Sequence, residues 1–167
     1  MGKEKKWLVF YTASRQEKKT ADYLEKNNYE VFFPMQSVVR LWSDRKKKVT
    51  VPLFSGYIFI KESEDQIHSL LKTPGIVRNI RHNNKPAVLR EEEYNIIQRF
   101  LSSGYFIETD FEQHFENGEH IRIADGPFKN LEGTILSKGS ESRFRVLIDS
   151  LGVNMTVTID SAILIKH

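Results

Sequence analysis

A chain of 167 residues, 40% of them hydrophobic, can bury one ordinary core or two small ones. It has no cysteine, which excludes a disulfide framework, a cysteine–zinc site and a thiol nucleophile, and suits a reducing cytosol. The formal net charge is only +3, but residues 1–50 hold twelve Lys/Arg against six Asp/Glu, which suggests a polyanion-facing surface there, with solvated lysines as the plain alternative.

In chain order, Trp7–Thr12 (WLVFYT) is rich in β-formers and predicts a buried first strand. Its apolar run stops at Tyr11, too short for a signal-peptide core or a membrane span, and no later run is longer. A cytoplasmic protein is expected. Ser14-Arg15-Gln16-Glu17 has the form of a capping box and opens a helix that Asn27-Asn28 end, with Ala21 and Leu24 inward. Val31–Phe33 is extended up to Pro34. SVVRLWS and KVTVPLF alternate around DRKK, the pattern of a β-hairpin with a strongly basic tip. GYIFI, at Gly56–Ile60, is a short apolar strand of mid-sheet type. Asp65–Leu71 has helical spacing and stops at Pro74-Gly75. IVRNI gives another strand, and Glu91–Leu101 a last helix whose three leading glutamates complement its dipole. This order predicts an α+β sandwich of ferredoxin-like type, ending near residue 101.

Residues 102–117 hold four Asp/Glu, no Lys or Arg and no apolar period, which reads as an acidic linker, although its aromatics can pack on a neighbour. From Gly118 to His167 the pattern is wholly β: HIRIA, LEGTILSK, RFRVLID, MTVTID and AILIK predict a small five-stranded barrel.

The stretch DGPFKNLEGTI, Asp125–Ile135, tests that reading. A Walker-type phosphate loop needs its lysine after the second glycine and a helix beyond it. Here Lys129 lies between Gly126 and Gly133, and strand patterns flank both sides. As a turn it works: Gly126 accepts positive φ, Pro127 fixes the next φ, and Gly133 starts a strand where backbones approach closely.

GEHIRIADGPFKNLEGTI resembles the KOW motif, and RFRVLIDSLGVNMTVTIDSAILIK resembles the end of the C-terminal barrel of the NusG family, with Leu151 where an aromatic is usual. WLVFYTASRQEKKTADYL, PLFSGYIFI and TPGIVRNI resemble the family's NGN domain, with Ser55 in place of a proline. The short basic hairpin is similar to that of specialised RfaH- or UpxY-like paralogs. The resemblance covers nearly the whole chain in the family's order. It implies an NGN domain over residues 1–101, a linker over 102–117 and an SH3-like KOW barrel over 118–167.

The resemblance also implies a monomeric, cofactor-free transcription elongation and antitermination factor that suppresses pausing or termination. Its partners would be RNA polymerase, through the β′ clamp helices and β gate loop, and DNA near the transcription bubble. By matching position the clamp-helix surface includes Tyr11, Phe54, Tyr57 and Phe59, with Ile97 and Leu101 at its edge. Phe59 and Ile97 also suit the core, whereas Tyr11, Phe54 and Tyr57 are assigned to the surface. His68 and Ser69 stand where the gate loop is met, an ordinary helix surface being the alternative for Ser69. Arg15, Lys18 and Lys19 on the first helix, and Arg40, Arg45, Lys46, Lys47 and Lys48 on the hairpin, are candidates for phosphate contacts. Trp42 and Tyr11 can stack on bases. In the barrel, Ile148, Leu151 and Ile159 match the surface offered to ribosomal protein NusE or Rho, against a core placement for the isoleucines.

Catalysis has no support. The five histidines form no metal spacing such as H-E-x-x-H, and FSGY is no nucleophile elbow. The competing reading is a ribosome- or RNA-binding KOW protein, which calls for a more basic barrel than the near-balanced charges of residues 118–167 provide.

Overall fold

The computed structural model describes residues 3–111, 118–135 and 140–160, and the backbone of 164–165. The first elements are β1 (Lys6–Thr12), α1 (Glu17–Lys26), β2 (Glu30–Phe32), β3 (Met35–Leu41), β4 (Lys46–Pro52) and β5 (Tyr57–Glu62). A 3-10 turn at Glu64–Gln66 leads into α2 (Ile67–Leu70). Then come β6 (Ile76–Asn79), β7 (Arg81–His82), β8 (Lys85–Pro86), β9 (Val88–Leu89) and α3 (Glu91–Ser102). The last strands are β10 (Glu108–Asp110), β11 (Glu119–Ile123), β12 (Glu132–Ile135), β13 (Glu141–Ile148), β14 (Val153–Asp160) and β15 (Leu164–Ile165). They form two compact units, Met1–Met35 with Pro52–Glu91, and Gln36–Val51 with Glu92–His167.

In the first unit β1 is central, in a sheet ordered β2-β5-β1-β6 with β9 also pairing β1. The expected mid-sheet strand is therefore β5. All its pairings are antiparallel, and they set Val9 opposite Phe59 and Tyr11 opposite Tyr57. Strand alternation sends Leu8 and Phe10 to one face, where they cluster with Leu24 of α1, Ile58, Ile60 and Leu70 of α2. The opposite face carries Trp7, Phe32 and Phe59, whose rings stand about 6 Å apart in sequence: Trp7–Phe32 at 6.0 Å and Phe32–Phe59 at 5.7 Å.

The start of α1 differs from expectation. Arg15 takes a positive φ of 62°, and Gln16 caps the helix without a side-chain hydrogen bond, so Ser14 and Glu17 form no capping box. The Gln16 N–H donates to the Ala13 carbonyl at 3.0 Å, which turns the chain before the helix begins. The other end follows the sequence: Asn27 caps it and Asn28 has a φ of 66°.

In the second unit β3 and β4 pair around a two-residue loop, where Trp42 and Arg45 exchange backbone hydrogen bonds of 2.8 and 3.3 Å. The barrel sheet runs β10-β14-β13-β12-β11-β15, antiparallel throughout. The five expected strands are present, and the expected linker adds a sixth, because Glu108–Asp110 pairs with β14. Residues 112–117 of that segment lie outside the described residues. Gly133 bears out the close approach: a Cβ there would sit 2.5 Å from both the Arg145 carbonyl oxygen and the Phe144 ring. The preceding turn is closed by Gly126, with a φ of 83°, and by Lys129 N–H donating to Gly126 at 3.2 Å.

Helix α3 packs within this unit. Phe100 lies 4.8 Å from Phe128 and 6.4 Å from Phe144, centroid to centroid. Arg99 donates to the Pro127 and Lys129 carbonyls at 2.8 and 2.7 Å. Glu93, expected to complement the helix dipole, is only 2% exposed, and its carboxylate accepts the Ser150 N–H at 3.1 Å. A buried carboxylate needs such a donor, so tertiary contact adds to its place in the first turn of the helix.

Candidate functional site

Strand pairing assembles a half-buried aromatic pair. Tyr11 and Tyr57 are cross-strand partners with edge-on rings 5.6 Å apart. Gly56, with a φ of 88°, has no side chain to obstruct this arrangement; a Cβ there would come 2.6 Å from the Tyr11 ring. On the other side β6 sets Arg78 opposite Tyr11, with the guanidinium carbon 5.3 Å from the Tyr11 ring centre. Arg78 is exposed, so the cluster offers two phenol edges and a cation to a partner. Sequence reasoning missed Arg78, whose signal was its place on the strand that pairs with Tyr11.

The other expected clamp residues divide by burial. Phe54, assigned to the surface, is 1% exposed, its ring 6.2 Å from Phe59 and nearly perpendicular to it. It is core, because the chain turns inward between β4 and β5 and Phe59 offers an aromatic wall. Phe59 and Ile97 are fully buried, while Leu101 is partly exposed.

The basic residues are where a polyanion can reach them. Arg15, Lys18 and Lys19 are exposed around the start of α1. Arg40 and Arg45 through Lys48 are exposed on the hairpin, together with Val39, Leu41 and Trp42. Trp42 is 55% exposed with the Lys47 ammonium 5.2 Å over its ring, so an aromatic face and a cation stand side by side. The two groups belong to different compact units.

His68 and Ser69 are both exposed on α2. His68 helps line a cavity of about 420 Å³ with Glu64, Asp65, Ile67, Leu71, Arg81 and Pro86. Hydrogen bonding from Ser63 holds the Asp65 carboxyl below the usual range, aided by Lys3 at 3.3 Å. In the barrel Ile148 and Ile159 are buried in the sheet core and leave Leu151, in the turn between β13 and β14, as the accessible expected contact. Leu147, on the outward face of β13, is exposed beside them. The Arg122 hydrogen bond and charge lower the pKa of Glu132 on the neighbouring strand. Among the described residues no group of three or more His, Asp or Glu is placed to hold a metal ion.

Residues 5–98 match the family model described as transcription termination factor NusG, more than half of the chain. The chain belongs to the NusG family. The transcription termination/antitermination protein NusG of Halalkalibacterium halodurans is 29% identical over 146 residues, covering 79% of this chain and 81% of that one. That of Thermus thermophilus is 26% identical and covers 96% and 97% of the two chains. A solved structure of Thermotoga maritima NusG matches over 97% of both chains with a TM-score of 0.57 and 21% identity, which shows a common fold. The expected α+β domain followed by a small antiparallel β domain is therefore the NusG architecture.

NusG family membership makes this a transcription termination/antitermination factor and not an enzyme, and implies binding to RNA polymerase. No described helix is long and apolar enough to cross a membrane.

Proposed function

We propose that this NusG-family protein is a cytoplasmic elongation and antitermination factor that grips the polymerase β′ clamp helices through Tyr11 and Tyr57. The observation that carries this reading is the half-buried tyrosine pair with exposed Arg78 over it, since aromatic and arginine side chains at a partly desolvated patch are what anchors a partner helix. His68, on the cavity at α2, meets the β gate loop, and bridging of two polymerase elements hinders clamp opening and suppresses pausing.

The hairpin and the start of α1 contact nucleic acid near the bubble through Lys and Arg, with Trp42 as a stacking face. The short basic hairpin supports a specialised paralog of the RfaH or UpxY kind. The barrel takes a second partner, NusE or Rho, through Leu151. The domains are an NGN domain over 1–101 and a KOW domain over 118–167, with the connector between them.

Binding to core RNA polymerase tests the central claim. A Tyr11→Ala/Tyr57→Ala variant that keeps its fold by circular dichroism is expected to lose polymerase binding at least tenfold. Wild-type affinity in that folded variant would remove the tyrosine pair from the interface.

A further inference from the structure

Strand pairing sets three side chains in one row across the sheet of the first unit. Tyr57 on β5 stands opposite Tyr11 on β1, and Tyr11 stands opposite Arg78 on β6, so all three project from the same face. The Arg78 guanidinium carbon lies 5.3 Å from the Tyr11 ring centre, and the residue is exposed. A guanidinium held against a ring spends one face on the stack and keeps the N–H donors along its edge for a planar acceptor. Among the described residues those donors have no carboxylate partner. By contrast, Lys3, Lys5, Lys6 and Lys61 of the same unit each lie within 3.7 Å of a carboxylate. The unit pairs these lysines internally and holds its arginine out on a tyrosine.

We propose that Arg78 is a specificity residue of the polymerase site: it takes an Asp or Glu carboxylate on the helix that Tyr11 and Tyr57 grip, one turn from that helix's apolar anchor. The inference rests on the tyrosine pair being the polymerase contact. Neighbouring strands lie about 4.8 Å apart and one helical turn rises about 5.4 Å, so a helix laid along the row brings residues three or four apart over Tyr11 and over Arg78. An apolar side chain suits the phenol rings, and an acidic one a turn away meets the guanidinium edge in a bidentate pair. A nucleic-acid phosphate fits less well, because the row neighbours of Arg78 are phenol rings rather than further cations. Arg78 thereby selects register: a helix shifted by one residue turns its acid about 100° away from the guanidinium.

The test measures binding of the full chain to core RNA polymerase, with each variant first shown to melt like wild type. Arg78→Gln, which removes the charge, is expected to weaken binding about tenfold, and Arg78→Lys, which keeps the charge without the planar fork, by less. Arg78→Glu is expected to weaken binding about fivefold beyond Arg78→Gln, because two carboxylates then face each other. Each Asp or Glu of the polymerase clamp helices is then replaced in turn by Lys. One of these replacements is expected to restore the binding of Arg78→Glu while weakening that of wild type. Equal affinities of Arg78→Glu and Arg78→Gln, or no polymerase replacement that restores Arg78→Glu, would overturn the carboxylate pairing. Loss of binding in Arg78→Glu only on polymerase carrying a DNA–RNA scaffold, and not on core enzyme alone, would assign the guanidinium to a phosphate and overturn it too. Wild-type binding by Arg78→Glu alongside lost binding by Tyr11→Ala/Tyr57→Ala would remove Arg78 and leave the tyrosine site standing. Full binding by the tyrosine variant would remove the site itself and the inference with it.

Discussion

Phe54 packs its ring against Phe59 in the interior, whereas Tyr11 and Tyr57 keep part of theirs at the surface. Phe54→Ala removes a buried aromatic and leaves a cavity, and is expected to cost about 3–5 kcal/mol of stability in chemical denaturation. A loss below about 1 kcal/mol would mean that the ring is not packed as described. Polymerase binding lost in Phe54→Ala would therefore report unfolding as readily as interface damage, which is why the tyrosines make the cleaner probe. Arg78 extends the same logic. Its neighbour is far away in sequence, and only the pairing of β6 with β1 puts a cation over the Tyr11 ring.

At the scale of elements, α3 joins the barrel by three kinds of contact. Phe100 supplies ring packing, Glu93 accepts the Ser150 N–H, and Arg99 donates to two carbonyls in the turn that holds Phe128. Arg99→Ala leaves the ring packing in place but removes both donated bonds, at a cost of about 1–2 kcal/mol. Amide exchange in α3 and at Ser150 is expected to rise while the exchange of β13 and β14 holds. Uniform exchange across both would show the helix and sheet opening as one cooperative unit.

For the whole molecule, the modest net charge of +3 hides a basic hairpin on a chain whose later part is acidic. Replacing Lys46, Lys47 and Lys48 together by Gln is expected to weaken oligonucleotide binding and to flatten its dependence on salt. Each lost phosphate contact lowers the logarithmic slope by about 0.7 on a single strand. An unchanged slope would mean that these lysines are solvated and touch no phosphate. The order of strands and helices, the barrel turn at Gly126 and the close approach at Gly133 were legible in the sequence by itself. Each rests on local periodicity or on a backbone conformation that few residue types accept, whereas the NusG resemblance rested on the motifs themselves, such as GEHIRIADGPFKNLEGTI and TPGIVRNI. Tertiary structure alone decided that Phe54, Ile148 and Ile159 are interior, that Glu93 is buried on a donor, and that Glu108–Asp110 is a strand. It alone brought Gln36 to Ile107 across 71 positions of chain. Burial and pairing depend on which distant residues arrive to cover a side chain or complete a hydrogen bond, and no local pattern encodes that arrival.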